Sequence, residues 1–247
     1  MPGASDMASE PALSVVMPVY NEGDNIEGVL RGFVRTVLVP HEIIVVYDFD
    51  EDTSVPVVAA LQAELPAVRL HRNDIGRGVL NAIKAGIAAA RAPLVLVMMA
   101  DGSDEPADVD RMVALADGGA DVVAGSRYVR GGRQLGGPPA KRLLSRLAGL
   151  SLYRFGALPI HDATSNFRLY RRSFLETVRI ESEGGFELAI ELTVKAHVAG
   201  RRLAEVPTTW RDRTAGESRF RLRAWLPRYL RWYLVALRHR TGQILRR

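Results

Sequence analysis

Acidic side chains follow two apolar runs of this chain, at the positions where buried strands would end. Asp48, Asp50 and Asp52 come after the run EIIVVY, and Asp101 and Asp104 come after LVLVMM. Neighbouring ionised carboxylates repel each other, so they persist side by side where a cation neutralises them. A hard divalent ion held by one or two carboxylates and by substrate phosphates is the usual arrangement for Mg²⁺. The residue types therefore indicate phosphate chemistry supported by a divalent ion, Mg²⁺ or Mn²⁺.

The loop after LVLVMM has two interpretations. Asp101, Asp104 and Ser103 offer oxygen ligands to a metal ion. Alternatively, Ser103 or Asp104 caps the helix that begins near Asp108, with Pro106 close to its first turn. The presence of a second acidic loop after another strand favours the metal site.

Two further features suit a nucleotide. An aspartate at the end of a parallel strand accepts hydrogen bonds from a base or a ribose hydroxyl, and Asp48 is placed for that role. Gly76 and Gly78 flank Arg77 just before a helix, where backbone N–H groups can cradle a phosphate. Both features also have an ordinary explanation, because many acidic loops and most glycine pairs are only turns.

The elements that must position these side chains alternate between strands and helices. Apolar runs predict strands at 13–19, 42–47, 68–71, 94–99, 121–124 and 203–207, with another after the loop that starts at 162. Amphipathic spacing predicts helices after residue 24 and at 55–65, 81–90, 108–116, 141–155 and 186–199. The glycine-rich segment 130–139 reads as a mobile loop. This alternation predicts an α/β fold with a mostly parallel sheet, which binds ligands at the carboxyl ends of its strands.

Composition limits the alternatives. The chain has 247 residues, of which 47% are hydrophobic and 25% charged, so we expect one large domain and exclude a disordered chain. It has no cysteine, which excludes disulfides, thiolate metal sites and a cysteine nucleophile. No apolar run is close in length to the about 20 residues that a helix needs to span a bilayer. Residues 1–12 lack the features of a secretory signal and are expected to be a disordered leader.

The C-terminal segment 219–247 is strongly basic. From Arg211 to Arg247 the chain carries eleven arginines and two acids, a net charge of +9, which leaves −4 for the rest. Apolar residues recur there at helical spacing, and tryptophan, tyrosine and arginine together suit an anionic bilayer interface. The alternative is a helix docked on the core of the domain. Nucleic acid is not an expected partner, because the acidic strand ends would repel its phosphates.

Several segments, taken in order, resemble family 2 glycosyltransferases. They are SVVMPVYNEGDNI, the acidic 48–52 loop, HRNDIGRGVLNAIKAGI, the acidic loop from Asp101 to Pro106, and VVAGSRY. The later segments DATSNFRLYRR, GGFELAIELTVKAHVAGRRLAEVP and DRTAGESRFRL resemble the acceptor half of the dolichol-phosphate mannose synthase branch. The resemblance implies a GT-A fold with a Rossmann-like sheet, in which 13–127 is the nucleotide-sugar-binding half and 128–218 is the acceptor-binding half.

The resemblance also implies an activity. It is the inverting transfer of a hexose from a nucleotide sugar, of the GDP-mannose or UDP-glucose type, to a polyprenyl or dolichyl phosphate. Such an enzyme would be peripheral at the cytoplasmic, inner face of an anionic membrane, and an integral-membrane protein is a further candidate partner. Two other interpretations stay open: a transferase with a soluble acceptor, and a non-catalytic nucleotide-sugar-binding protein.

The resemblance and the residue types together assign candidate site residues. Those expected at the nucleotide are Pro18, Tyr20, Asn21, Glu22, Asp48, Asp50 and Gly78. Those expected at the metal are Asp101, Asp104 and Ser103. Asp101, Arg127 and Arg213 are expected at the reacting centre. Those expected on the acceptor side are Arg130, Arg133, Asp162, Ser165, Phe167, Arg168, Ser218 and Arg219.

Two positions depart from the pattern of the family. Met99 stands where the first aspartate of the DxD metal motif is expected, and a thioether is a poor ligand for Mg²⁺. Tyr47 stands where the first aspartate of a pair is expected after the second strand. These departures bear on the metal stoichiometry and on the identity of the nucleotide rather than on the fold.

Overall fold

The computed structural model describes residues 10–185, 187–212 and 222–244. Most of the expected leader lies outside the described residues, and so do three candidate site residues, Arg213, Ser218 and Arg219.

A seven-stranded sheet forms the centre of the fold, and a two-stranded sheet lies beside it. The strands are β1 (Leu13–Pro18), β2 (His41–Tyr47), β3 (Val68–Arg72), β4 (Leu94–Val97), β5 (Val122–Ser126), β6 (Arg133–Leu135), β7 (Arg168–Arg171), β8 (Leu203–Pro207) and β9 (Thr209–Arg211). The large sheet has the order β3-β2-β1-β4-β7-β5-β8, and β6 pairs with β9. Within the large sheet β7 is antiparallel to β4 and β5, while the other pairs are parallel.

Helices cover both faces of the large sheet. They are α1 (Gly23–Thr36), α2 (Ser54–Leu61), α3 (Val79–Ala89), α4 (Val109–Asp117), α5 (Pro139–Phe155), α6 (Arg172–Thr177), α7 (Leu188–Val198) and α8 (Leu222–Ile244). Side chains alternate along β1, so Val15 packs in one core cluster and Val16 in the other. Ile26 of α1 joins the first cluster and Ile83 of α3 joins the second. Burial on both faces explains why the strands are continuous apolar runs.

The C-terminal helix α8 is docked on the domain. Trp232 and Ala236 are buried in a third core cluster with Leu152 of α5 and Val194 of α7. Lys195 and Arg231 lie over the indole ring of Trp232, at 4.9 and 4.8 Å from its centroid. This stretch of the basic tail is therefore a helix docked on the core of the domain, which is the alternative that the sequence left open. Among the described residues, no helix is both long enough and apolar enough to cross a membrane.

The local sequence does not reveal some of the elements. The segment 130–139 was expected to be a mobile loop, but it contains β6, which pairs with β9. The expectation was wrong because a three-residue strand draws its hydrogen bonds from a partner far along the chain, which local composition does not report. The short helix α6 and the strand β9 were not predicted either.

Candidate active site

The parallel strands bring the predicted site residues to one edge of the sheet. Asn21 follows β1, Asp48 follows β2, Asp101 follows β4 and Arg127 follows β5. Because β2, β1 and β4 are neighbours, the predicted nucleoside residues lie next to the acidic loop. The candidate nucleotide and metal sites are therefore contiguous.

A buried aspartate ties the first two of these loops together. The Oδ2 atom of Asp52 accepts a hydrogen bond from the Asn21 N–H at 3.0 Å, and its Oδ1 accepts one from the Ser54 N–H at 2.8 Å. Asp52 is fully buried, and Asn21 has a φ of 55°, a left-handed conformation that the bond to Asp52 helps to hold. The sequence places Asp52 among the acidic side chains after β2, but it was not assigned to the nucleotide or to the metal. Its position two residues before Ser54, the first residue of α2, is the available signal.

Asp48 and Asp50 have partners within the protein. The Asp48 carboxylate accepts hydrogen bonds from the Asn73 side chain and from the Gly78 N–H, both at 2.7 Å. The Gly78 N–H is therefore directed at Asp48, which does not match the phosphate cradle considered for it. Asp50 is exposed and forms an ion pair with Arg72 at 3.1 Å. Each carboxylate oxygen has a second lone pair, so a role at the nucleotide stays a prediction for both aspartates.

The remaining nucleoside candidates surround the end of β1. Pro18 is the buried last residue of the strand. Tyr20 is 46% exposed and meets the ring of Phe49 edge-on, with the centroids 5.6 Å apart. The Oε2 atom of Glu22 accepts a hydrogen bond from the Asn25 side chain at 2.8 Å. Tyr20 thus lies at the surface of the site, whereas Pro18 and Glu22 support the loop.

The acidic loop folds on itself and does not cap a helix. Asp101 Oδ1 accepts a hydrogen bond from the Ser103 N–H at 3.1 Å, and Asp104 Oδ2 accepts one from the Met99 N–H at 3.2 Å. Asp108 is the residue at the N-cap of α4, and its side chain makes no capping bond there. The capping alternative for Ser103 and Asp104 is therefore wrong, because Asp104 turns back toward the strand.

The electrostatics of the loop fit a divalent ion. Burial and the neighbouring Asp101 carboxylate raise the pKa of Asp104 to about 7. A cation between the two carboxylates would remove this repulsion, and Ser103 adds a hydroxyl oxygen. Across the described part of the chain, no group of three or more His, Asp or Glu side chains is arranged to hold a metal. Substrate oxygens would have to complete the coordination, as is usual for Mg²⁺.

We expect Mn²⁺ affinity to depend on pH through Asp104. The raised pKa keeps the carboxyl protonated below about pH 7, so a proton competes with the metal and affinity should rise with pH up to that point. Asp104→Asn keeps an acceptor for the Met99 N–H but loses the charge, so Mn²⁺ binding should weaken and its pH dependence should flatten. The melting temperature should change little. Mn²⁺ titrations followed by electron paramagnetic resonance test this, and an unaltered pH dependence in the variant would contradict it.

Arg127 is held by a buried carboxylate. Its Nε donates to Asp162 Oδ2 at 2.7 Å, and its Nη2 donates to Asp162 Oδ1 at 3.0 Å. Nη2 also donates to the hydroxyls of Ser145 and Thr164, at 3.2 and 3.0 Å. Burial opposes the charge on Arg127, but Asp162 outweighs it and raises the pKa of the guanidinium. The Nη1 group makes no hydrogen bond to any described residue, so it can still bind a phosphate oxygen.

The other acceptor-side candidates are divided between the interior and the surface. Arg168 is fully buried and donates from Nη2 to the Asp162 carbonyl at 2.7 Å. Phe167 is 1% exposed, and the Ser165 hydroxyl accepts a bond from its N–H at 3.3 Å. These three residues can shape the acceptor side only by positioning the loop that carries Asp162. Arg130 and Arg133 are exposed.

Sequence reasoning missed two residues that contact Arg127. Ser145 lies on α5, and its hydroxyl is 2.6 Å from that of Thr164. Thr164 stands two residues after Asp162 and donates its N–H to the carboxylate at 3.2 Å, a turn pattern that the sequence does carry. No local pattern singles out Ser145, because its contact depends on how α5 packs against the loop.

The architecture is the GT-A fold, with an acidic loop after β4 and an arginine held by Asp162 after β5. A family model described as Glycosyl transferase family 2 matches residues 14–179, and the chain belongs to this family.

Two relatives are similar to the chain in sequence, and one solved structure is similar to it in fold. It is 33% identical over 218 residues to the polyprenol monophosphomannose synthase of Mycolicibacterium smegmatis, covering 83% of this chain and 79% of that protein. It is 32% identical over 211 residues to the undecaprenyl-phosphate mannosyltransferase of Micrococcus luteus, covering 83% and 85%. A glucosyl-3-phosphoglycerate synthase from Mycobacterium tuberculosis, crystallised with Mn²⁺, UDP-glucose and phosphoglyceric acid, superposes with a TM-score of 0.69 at 18% identity, covering 96% and 85%. At that identity the structure supports the fold alone.

Proposed function

We propose that this enzyme transfers a hexose, with inversion, from a nucleotide sugar to a polyprenyl phosphate. The observation that carries the proposal is the placement of Arg127, which is fixed by Asp162 and keeps Nη1 for a phosphate. Its charge also acts on Asp104 in the acidic loop, where it offsets part of the rise in the pKa of that carboxyl that burial and Asp101 cause. The two relatives named for polyprenyl phosphates support this acceptor class, and a donor of the GDP-mannose or UDP-glucose type belongs to the proposal.

The chemistry needs positioning more than proton transfer. A phosphate oxygen of the acceptor attacks C1 of the sugar, the bond from C1 to the donor diphosphate breaks, and the new bond forms on the opposite face. The acceptor phosphate is already an anion, so no general base is required. Arg127 relieves the repulsion between the two phosphates. A divalent ion held by Asp101, Asp104 and Ser103 would neutralise the charge on the donor diphosphate.

An exposed apolar face on α5 supports a membrane location. Leu143, Leu144 and Leu147 are 57%, 48% and 53% exposed. Arg142 and Arg146 lie among them, and the helix contains no acidic residue. Leucines that insert and arginines that meet anionic headgroups are the features of an interfacial helix. We therefore propose that the enzyme is peripheral at the anionic, cytoplasmic face of a membrane.

The site and this apolar face are close together. Ser145, which contacts Arg127, lies between Leu144 and Leu147 on the same helix. A lipid whose chain remains in the bilayer would thus have its phosphate beside the reacting centre. This proximity favours a lipid acceptor over a soluble one.

Transfer assays test the proposal. With Mn²⁺ and either GDP-mannose or UDP-glucose, we expect a hexosyl phosphate of inverted configuration on a short water-soluble prenyl phosphate and on a long one in anionic vesicles. Donor binding without transfer to either acceptor would instead favour the non-catalytic interpretation. A product that retains the donor configuration would contradict inversion.

A double substitution tests the membrane face. Leu143→Ser with Leu147→Ser should weaken vesicle binding at least about tenfold, because burying one leucine is worth about 1.5–3 kcal/mol. Transfer to the short acceptor should persist, while transfer to the long one falls. Leu38→Ser is a matched control, since Leu38 is 84% exposed and lies after α1. Equal vesicle co-sedimentation of both variants would show that α5 is not the contact.

A further inference from the structure

An aromatic ring at the end of β2 has a cation over one face. The Cζ atom of Arg77 lies 5.3 Å from the centroid of the Phe49 ring, and Tyr20 meets the same ring at an interplanar angle of 66°. Phe49 is half-buried, and Arg77 is exposed. Aromatic rings and guanidinium planes are surfaces on which nucleobases stack.

The backbone before α3 holds Arg77 in this position. Gly76 and Gly78 have φ angles of 140° and 120°, which side chains disfavour. The Gly78 N–H is bound by Asp48, and the Asn73 side chain donates to both Asp48 and the Gly76 carbonyl, at 2.7 Å each. Arg77 therefore extends from a closed, hydrogen-bonded loop, which restricts where its guanidinium can lie.

The topology separates Phe49 from the acidic loop by about the distance between a nucleobase and its diphosphate. The order β2-β1-β4 puts two strand spacings between Phe49 and the acidic loop. Neighbouring strands lie about 4.8 Å apart, so the separation along the sheet edge is about 10 Å. A nucleotide whose diphosphate lies at the acidic loop would span this separation with its ribose. Its base would then reach Phe49 and Arg77.

We propose that Phe49 and Arg77 form a stacking clamp for the nucleobase of the donor and determine donor affinity. This inference rests on the proposed function, because it takes the ligand to be a nucleotide sugar. Arg77 contacts the base and not the diphosphate: the base stacks on the face of the guanidinium turned away from Phe49, and Phe49 supports the guanidinium from the other side, at 5.3 Å. Tyr20 borders the clamp from the end of β1.

Calorimetric titration tests the clamp. The probes are GDP, UDP, GMP and UMP with Mn²⁺, on the full chain and on Phe49→Ala, Arg77→Ala, Arg77→Lys and the double alanine variant. We expect each single variant to bind the preferred nucleotide about tenfold more weakly, which is the scale of losing one base stack. Lysine should not rescue, because it lacks the planar group. The double variant should be little weaker than either single one, since the two side chains act together.

Two comparisons test whether the contact is to the base. The first compares monophosphates with diphosphates, and the second compares the clamp variants with a control variant. A base contact predicts the same loss for the monophosphate and the diphosphate, and a loss confined to the diphosphate would overturn the clamp. Phe155→Ala is the control, because Phe155 also lies beneath an arginine, Arg154, with Cζ at 5.9 Å, but is on α5. Unchanged affinity in the Phe49 and Arg77 variants would overturn the clamp alone. If the unmodified protein binds neither GDP nor UDP, the proposed donor class itself fails.

Discussion

Asp101→Ala is expected to reduce hexose transfer by about 10³-fold or more, the scale of losing a metal ion that stabilises several kcal/mol of developing charge. Asp101 and Asp104 are two of the three carboxylates of the acidic loop after β4, and the third, Glu105, forms an ion pair with Arg211 at 3.7 Å. Met99 supplies only a thioether there, so it cannot replace a lost carboxylate. The Mn²⁺-dependent part of nucleotide binding should disappear with the activity.

The measurement is the transfer rate, with nucleotide affinity determined in Mn²⁺ and in EDTA. Asp117→Ala is a suitable control, because Asp117 is exposed at the far end of α4 and changes the net charge equally. Both variants should melt at nearly the same temperature as the unmodified protein. Full activity in Asp101→Ala, or in EDTA, would remove the metal from the proposal.

Asp162→Asn is expected to destabilise the fold by about 3–5 kcal/mol, the usual cost of leaving one partner of a buried ion pair uncompensated. The side chains of Arg127 and Asp162 are 12% and 0% exposed. Asparagine can still accept backbone N–H bonds in the loop, so the loss reports mainly on the charge. Burial raises the pKa of the Asp162 carboxyl, but Arg127 outweighs burial and the pKa is lowered. The stability that this ion pair contributes is therefore fully present above about pH 4 and is lost as the pH falls through the folded pKa.

A double variant separates stability from activity. Arg127→Met with Asp162→Asn removes both charges and should recover most of the lost stability, since an apolar replacement of a buried pair is often neutral. The double variant should show no transfer, because Arg127, the proposed ligand of the acceptor phosphate, has been replaced. Urea unfolding and transfer assays measure the two effects. A double variant as unstable as Asp162→Asn alone would show that the charge pair is not the source of the destabilisation.

The sequence predicts the site residues best where they come directly after a buried strand. Asp48, Asp101 and Arg127 could be placed together because parallel strands end at one edge, a rule that needs no coordinates. The apolar runs of β1, β2 and β4 can be recognised in the sequence because these strands are buried on both faces. By contrast, the sequence does not show that Asp48 is bound by Asn73 and Gly78, since that depends on the path of a loop 25 to 30 residues away.

Contacts between distant segments account for what was missed. Ser145 reaches Arg127 from 18 positions along the chain, and β6 pairs with β9 across most of the acceptor-side segment. Neither contact leaves a periodic signal in its own segment. The tail shows the same limit: its helical spacing was visible, but spacing alone does not tell whether Trp232 faces a bilayer or the core in which it is buried.

The position of β7 has a consequence for biosynthesis. β4 and β5 do not pair with each other, because β7 lies between them and bonds to both. When β5 has left the ribosome, β4 is therefore still an open strand edge, and β5 lacks both of its sheet neighbours. The sheet closes only after Arg171 emerges, and such long-range pairing slows folding. A chain cut between the two halves would leave the β4 edge exposed, a site for aggregation.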